Sequence, residues 1–326
     1  MAYHRFIVLT AVLAFVVIVL GAYTRLTDAG LGCPDWPGCY GKLLVPESPE
    51  QVIEKQYLEQ RPLEPEKGWM EMIHRYFAGT LGLFILAITI WSWARRKTVQ
   101  GQPVWLPTGL LALVIFQAAL GMWTVTLLLK PVIVMAHLLG GFATFALLVL
   151  LALRAAPRRA LPPVRGWRRA GALAVLILVV QIALGGWTST NYAALSCLDF
   201  PTCQGSWVPE MDFGEAFVMW RGLGVNYEYG VLEHPARTAI HVTHRIGAVV
   251  TALYLGWLVL GLLRSGQGLA GTALLIGGLL LVQLSLGIGN VLLHLPLGVA
   301  TAHNGVAALL LISLVYLNYR LWRQAY

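Results

Sequence analysis

Long apolar runs broken by short polar links set the pattern of this chain. No Asp, Glu, Lys or Arg occurs between Tyr76 and Ala94, nor from Pro131 to Leu153. An apolar run of about 20 residues is long enough to cross a bilayer as a helix. Eight such segments are legible, at about 6–24, 72–94, 106–128, 131–153, 169–190, 239–263, 270–293 and 297–319. The last long run divides at "HLPLG", residues 294–298, where proline and glycine punctuate it. Helix is the expected form, because in lipid only a helix or a closed barrel satisfies the backbone.

Of 326 residues, 58% are hydrophobic and 12% charged, about half the charge of an ordinary soluble domain. The charges are also sorted. All 15 Asp and Glu lie between Asp28 and Glu71 or between Asp199 and Glu233. Arg5, Arg95, Arg96, Lys97, Arg154, Arg158, Arg159, Arg165, Arg168, Arg169, Arg264, Arg320 and Arg323 occupy the opposite links and ends, with no acidic residue among them. Basic links mark the cytoplasmic side. Both termini are therefore expected there, with the long loops at 24–70 and 191–238 outside. The net charge of +8 reads as topology and membrane-surface attraction, not nucleic-acid binding. The first segment is too long for a signal-peptide core and lacks a small-residue cleavage site, so it is expected to stay as a helix.

The chain also matches itself at an offset of 164–170 residues. "VLGAYTRLTDAGLGCPDWPGC" (19–39) aligns with "ALGGWTSTNYAALSCLDFPTC" (183–203), and "HRYFAGTLG" with "HRIGAVVTA". "QAALGMWTVTLLLKPVIVMAH" (117–137) aligns without a gap with "QLSLGIGNVLLHLPLGVATAH" (283–303). The predicted fold is an all-α integral membrane protein of eight transmembrane helices. It is built as two parallel four-helix-bundle repeats, residues 1–160 and 161–326, related by a pseudo-two-fold along the membrane normal. Gln117, Gly121, Gln283 and Gly287 of the "QxxLG" pieces read as close helix packing.

Under this repeat His74 pairs with His244 and His137 with His303, all near the outward ends of their segments. Each half thus brings two histidines to one depth. Neutral imidazole is a strong metal ligand, and two of them facing across a four-helix bundle can clamp a haem iron. Zinc fits less well, because no third His, Cys or carboxylate recurs in both halves. His241, three residues before His244, matches Glu71 and reads as a neighbour rather than a ligand; His4 and His294 receive no role. Arg75 and Arg245 follow the key histidines, either to meet the carboxylates of a porphyrin or to snorkel to the interface. Cys33/Cys39 and Cys197/Cys203 form two matched C-x5-C loops on the oxidising side, which argues for two short disulfides. They pin the loops, or else exchange electrons near the histidines.

This conjunction of eight segments, a four-plus-four repeat, "EMIHR", "IHVTHR", paired histidines and a C-x5-C in the first outer loop resembles the haem A synthase family of bacterial and mitochondrial membranes. The second cysteine pair resembles bacterial members, and with no transit peptide the expected address is a bacterial cytoplasmic membrane. The family oxidises a ring methyl of haem O to a formyl group, giving haem A for terminal cytochrome oxidases. The resemblance implies a resident haem b between His244 and His303, and substrate haem O between His74 and His137. It also implies dealings with a haem O synthase and an electron donor within the lipid bilayer.

Glu71 and His74 share a helix face at i and i+3. Under the resemblance Glu71 is the catalytic candidate, a proton handler for hydroxylation of the methyl. The other reading is a first-turn anion favoured by the helix dipole. Two rival functions stand beside the synthase: a quinol-linked carrier with two permanent b haems, and a haem-handling or transport protein. The 191–238 loop is longer than a link needs and is a candidate cover for the outer pocket.

Overall fold

A computed structural model describes residues 1–157, 164 and 166–323. Arg158, Arg159 and Arg165, part of the orientation argument, lie outside the described residues, as does the expected boundary between halves at 160/161. Among the described residues, eight helices are long and apolar enough to cross a membrane. They are α1 (Ala2–Leu26), α2 (Pro65–Arg95), α3 (Trp105–Thr126), α4 (Pro131–Ala155), α5 (Arg168–Thr190), α6 (His234–Arg264), α7 (Ala270–Leu292) and α8 (Leu297–Trp322).

The main departure from the sequence reading is at the N-terminal ends of α2 and α6. Each has 31 residues, about 46 Å of helix, well beyond the ~30 Å hydrocarbon layer. Proline in the first turn starts both, where its fixed φ and missing N–H cost nothing. The charged residues Glu64, Glu66 and Lys67 hide this extension from an apolar-run search. As a result Glu71 lies in the second turn of α2, and the first-turn acid is Glu66. A dipole effect fades beyond the first turn, so the dipole reading of Glu71 is withdrawn.

Helices α3 and α7 each end in two left-handed residues, Leu128 and Leu129 at φ 51° and 59°, His294 and Leu295 at 58° and 61°. Such backbone costs about 1 kcal/mol or more per non-glycine residue. Five-residue caps offset it: Leu129 N–H donates to Thr124 O at 2.8 Å, and Leu295 N–H to Asn290 O at 2.7 Å. His294 is thus a turn residue at the position of Leu128. Each turn reverses the chain within a few residues and holds the next helix antiparallel to the last.

Helix α1 packs on α2 and α4, and α3 on the same two, closing a ring of four; α5 to α8 close a second ring in the same order. The rings meet where α1 touches α8, α4 touches α5, and α4 touches α8. One apolar core runs through both, from Ile7, Ile85 and Leu148 to Leu258, Ile276 and Leu314. The α1–α2 and α5–α6 loops carry the two disulfides, Cys33–Cys39 and Cys197–Cys203, at S–S 2.06 and 2.02 Å.

Candidate functional site

The histidine pairs face each other across the interiors of the two rings. His74 from α2 and His137 from α4 have ring centroids 6.4 Å apart. Two metal–imidazole bonds of ~2 Å, plus the distance from each nitrogen to its ring centre, come to roughly 6 Å. Glycine makes room for every ring. A Cβ on Gly21 of α1 would lie 2.9 Å from His74 Cε1, and one on Gly185 of α5 would lie 3.1 Å from His244 Cε1. Likewise Gly121 of α3 is backed by His137 Cε1 at 3.5 Å, and Gly287 of α7 by His303 Cε1 at 3.1 Å. These four glycines are two repeat-equivalent pairs. The sequence assigned Gly121 and Gly287 to helix packing; they pack against the imidazoles themselves.

The pairs differ in what holds them. Gln181 of α5 places its side-chain Nε2 3.1 Å from His244 Nδ1 and donates to the His244 carbonyl at 3.1 Å. Gln283 places Nε2 3.2 Å from His303 Nε2. Nδ1 of His74, His137 and His303 is buried without a side-chain partner, as is Nε2 of Gln117, so His244 alone is met at Nδ1. Gln117 lies instead against Gly140, where an added Cβ would fall 1.6 Å from its Nε2.

Above His74 the outer loop hangs from α2. Glu71, 5% exposed, accepts the Cys33 N–H at Oε2 (2.9 Å) and Arg75 NH2 at Oε1 (2.5 Å). Arg75 also donates to the carbonyls of Asp35 (3.0 Å) and Gly38 (2.5 Å). Arg245 does the same on the other side, reaching Thr202 O at 2.8 Å and Asp199 O at 2.9 Å. Both arginines therefore latch a disulfide loop over a histidine pair. His241 takes the place of Glu71 there, 4% exposed, with no partner at Nδ1. The second loop is further tied by Asp199, whose carboxylate accepts Thr202 Oγ1 (2.5 Å) and the N–H groups of Gln204 (2.6 Å) and Gly205 (3.0 Å). Those bonds, the Thr202 hydroxyl first, hold its pKa down at about 2.

The long C-terminal outer loop crosses to the N-terminal ring. Arg61 forks onto Glu228 with two 2.9 Å bonds, and Tyr227 N–H donates to Leu128 O at 3.0 Å. Lys130, 2% exposed, donates to Arg221 O at 2.5 Å and sits 3.6 Å from the Trp220 ring centre. Sequence reasoning missed Arg61, Lys130 and Glu228. No repeat partner or motif marks them: Arg61 and Glu228 find each other across 167 positions of sequence, and Lys130 meets main-chain carbonyls.

All four histidines, with Glu71, His241, Arg75 and Arg245, line one cavity of about 1880 Å³. Among the described residues, no group of three or more His, Cys, Asp and Glu comes together to hold a bare ion. What the cavity offers is two opposed imidazole pairs with glycine-backed rings and predominantly apolar walls. That arrangement suits a flat, hydrophobic macrocycle carrying its own metal.

Known proteins point the same way. The chain matches the family described as cytochrome oxidase assembly protein over residues 4–315. It is 49% identical to the heme A synthase of Shewanella oneidensis over 321 residues, which span 97% of this chain and 96% of that protein. Heme A synthases of Mesorhizobium japonicum and Chelativorans sp. are 29% and 30% identical. Those matches cover 91% and 96% of this chain, and 84% and 88% of theirs.

Proposed function

We infer the reaction from one premise: the chain belongs to the cytochrome oxidase assembly protein family. It is a haem A synthase, a membrane enzyme that oxidises the ring methyl of haem O to the formyl group of haem A. The observation that carries this onto the present residues is the opposed pair His74 and His137, 6.4 Å apart at the wall of a large apolar cavity.

The N-terminal ring is read as the substrate site, with His74 and His137 gripping haem O, and the C-terminal ring as the seat of a resident haem b on His244 and His303. This division rests on the family resemblance, and the carboxylate supports it. Glu71 stands one turn from His74, and its counterpart His241 cannot supply an anion. Haem, when bound, supplies the oxygen and electron chemistry; the chain supplies position, dryness and protons. Each carboxylate oxygen has two acceptor sites, so Glu71 keeps capacity toward the cavity while holding Cys33 and Arg75. It is therefore placed to pass protons at the edge of the substrate ring. Arg75 and Arg245 fix the loops above the two sites, and any meeting with a porphyrin carboxylate shares the guanidinium with that latch.

The halves are read as copies about an axis along the membrane normal. Counterparts touch at both ends of the seam: Arg25 NH2 donates to Ser189 O at 2.7 Å, and Tyr319 OH to Leu153 O at 3.0 Å. Charge sorting supports both termini inside, and the second cysteine pair, through the family resemblance, a bacterial cytoplasmic membrane. A haem O synthase and an electron donor are the expected partners.

Extraction of pigments from the purified protein tests the reading. One permanent b haem per chain, with haem O, haem A or an intermediate in the other site, is the expected result. Two b haems per chain, with neither O nor A type even when haem O is supplied, would replace the synthase with an electron carrier.

A further inference from the structure

We propose that Gln181 is the positioning residue that makes the C-terminal histidine pair the permanent haem seat, by gripping His244 from behind. The proposal rests on the assignment of a resident haem to that half and adds the cause of its permanence.

The two halves differ at this point in two residues at once. Gln181 lies at the position of Val17, and its amide reaches His244 at Nδ1 and at the main-chain carbonyl, both at 3.1 Å. The amide fits only because residue 247 of α6 is glycine; a Cβ there would lie 2.2 Å from Gln181 Oε1. The counterpart of Gly247 is Phe77. Val17 offers no side-chain polar group, so what it turns toward His74 is its main-chain carbonyl alone. Donor and the room for it are thus present together in one half and absent together from the other.

An imidazole that binds metal through Nε2 carries its proton on Nδ1, and an acceptor there fixes the ring and strengthens it as a ligand. As placed, Gln181 Nε2 donates to the His244 carbonyl and faces Nδ1; a half-turn of its last bond presents Oε1, which has no partner at present, to an Nδ1 proton and gives up the bond to the carbonyl. The Gln283 contact is different in kind. It meets His303 at Nε2, the nitrogen an iron would take, so it would have to give way on loading, whereas Gln181 lies on the Nδ1 side of His244 and would stay behind the ring. His74 has a lone main-chain carbonyl there and no side chain that ties its ring to its own backbone, which suits a haem that must leave.

The test is Gln181→Val, with haem transfer to an apo-globin acceptor and a redox titration on the full-length holoprotein. Loss of a partner behind a ligating histidine weakens metal binding roughly 10–100-fold. We expect b haem to leave faster by that factor and its midpoint potential to rise, with the N-terminal haem unchanged. Gln181→Glu, which restores an acceptor, is expected to keep the haem and lower the potential. The reverse exchange, Val17→Gln with Phe77→Gly, is expected to slow release from the N-terminal site, and carries the test if Gln181→Val fails to fold. Unchanged b-haem loss and potential in Gln181→Val, or unchanged release in the reverse exchange, overturns the proposal. The parent protein is measured alongside: two non-exchanging haems there would sink the division between halves, independently of Gln181.

Discussion

Glu71 accepts the main-chain N–H of Cys33 at 2.9 Å, so the first disulfide loop hangs directly from the helix that carries His74. The same carboxylate holds Arg75, which in turn holds the loop carbonyls. Loop position and the proposed proton handling therefore fall to one side chain, and substitutions must separate them.

Glu71→Gln keeps an acceptor for Cys33 and removes the charge. Haem A formation is expected to fall about 100-fold or more if general acid–base help is lost, with the b-haem spectrum intact. Arg75→Met leaves the carboxylate and breaks the latch. If both variants lose product equally in extracted pigments, Glu71 acts only through the loop.

Gly21 and Gly185 are equivalent in the repeat but stand behind different histidines. An added methyl at 2.9–3.1 Å from the ring carbon must push it aside, at a cost of about 1–3 kcal/mol. Gly185→Ala should lower retained haem b. Gly21→Ala should spare haem b and cut occupancy by haem O, both read by haem-to-chain ratios.

Asp199 titrates with its pKa lowered to about 2 in the folded loop, below the ordinary carboxylate value of about 3.9. Its contribution is thus fully present above about pH 4 and is lost as the pH falls through about 2. At neutral pH the carboxylate is ionised and bonded, so Asp199→Asn should loosen the loop there. Faster reduction of Cys197–Cys203 by dithiothreitol, with Cys33–Cys39 unaffected, is the expected result. Equal rates in parent and variant would show that the carboxylate does not hold the loop.

Arg61 and Glu228 bind the C-terminal strap to the N-terminal ring through two parallel bonds. Arg61→Ala leaves a mostly buried carboxylate unpaired, a loss of about 1–3 kcal/mol. Protease cleavage within 217–230 should accelerate accordingly. Arg61→Lys should recover only part, since an ammonium cannot fork.

Much of this was legible in the sequence for physical reasons. Eight apolar runs, sorted charge and paired cysteines are properties of segments, and the repeat turned scattered histidines into matched pairs. What escaped depended on single contacts. The extensions of α2 and α6 are helical but polar, so hydropathy ends the element too early. Arg75 and Arg245 bond to main-chain carbonyls, which have no residue signature. Gln181 was passed over because the repeat highlights what the halves share, and this residue matters by having no equal.

The seam between the halves brings counterparts together, Arg25 with Ser189 and Tyr319 with Leu153. A surface that meets its own equivalent is one that a lone bundle would present to its twin. The N-terminal ring carries both sides of that seam on α1 and α4. Carriage on one chain thus raises the effective concentration of the two rings and fixes which twin is met. Made as two polypeptides divided between Ala155 and Arg168, the rings should find each other unaided.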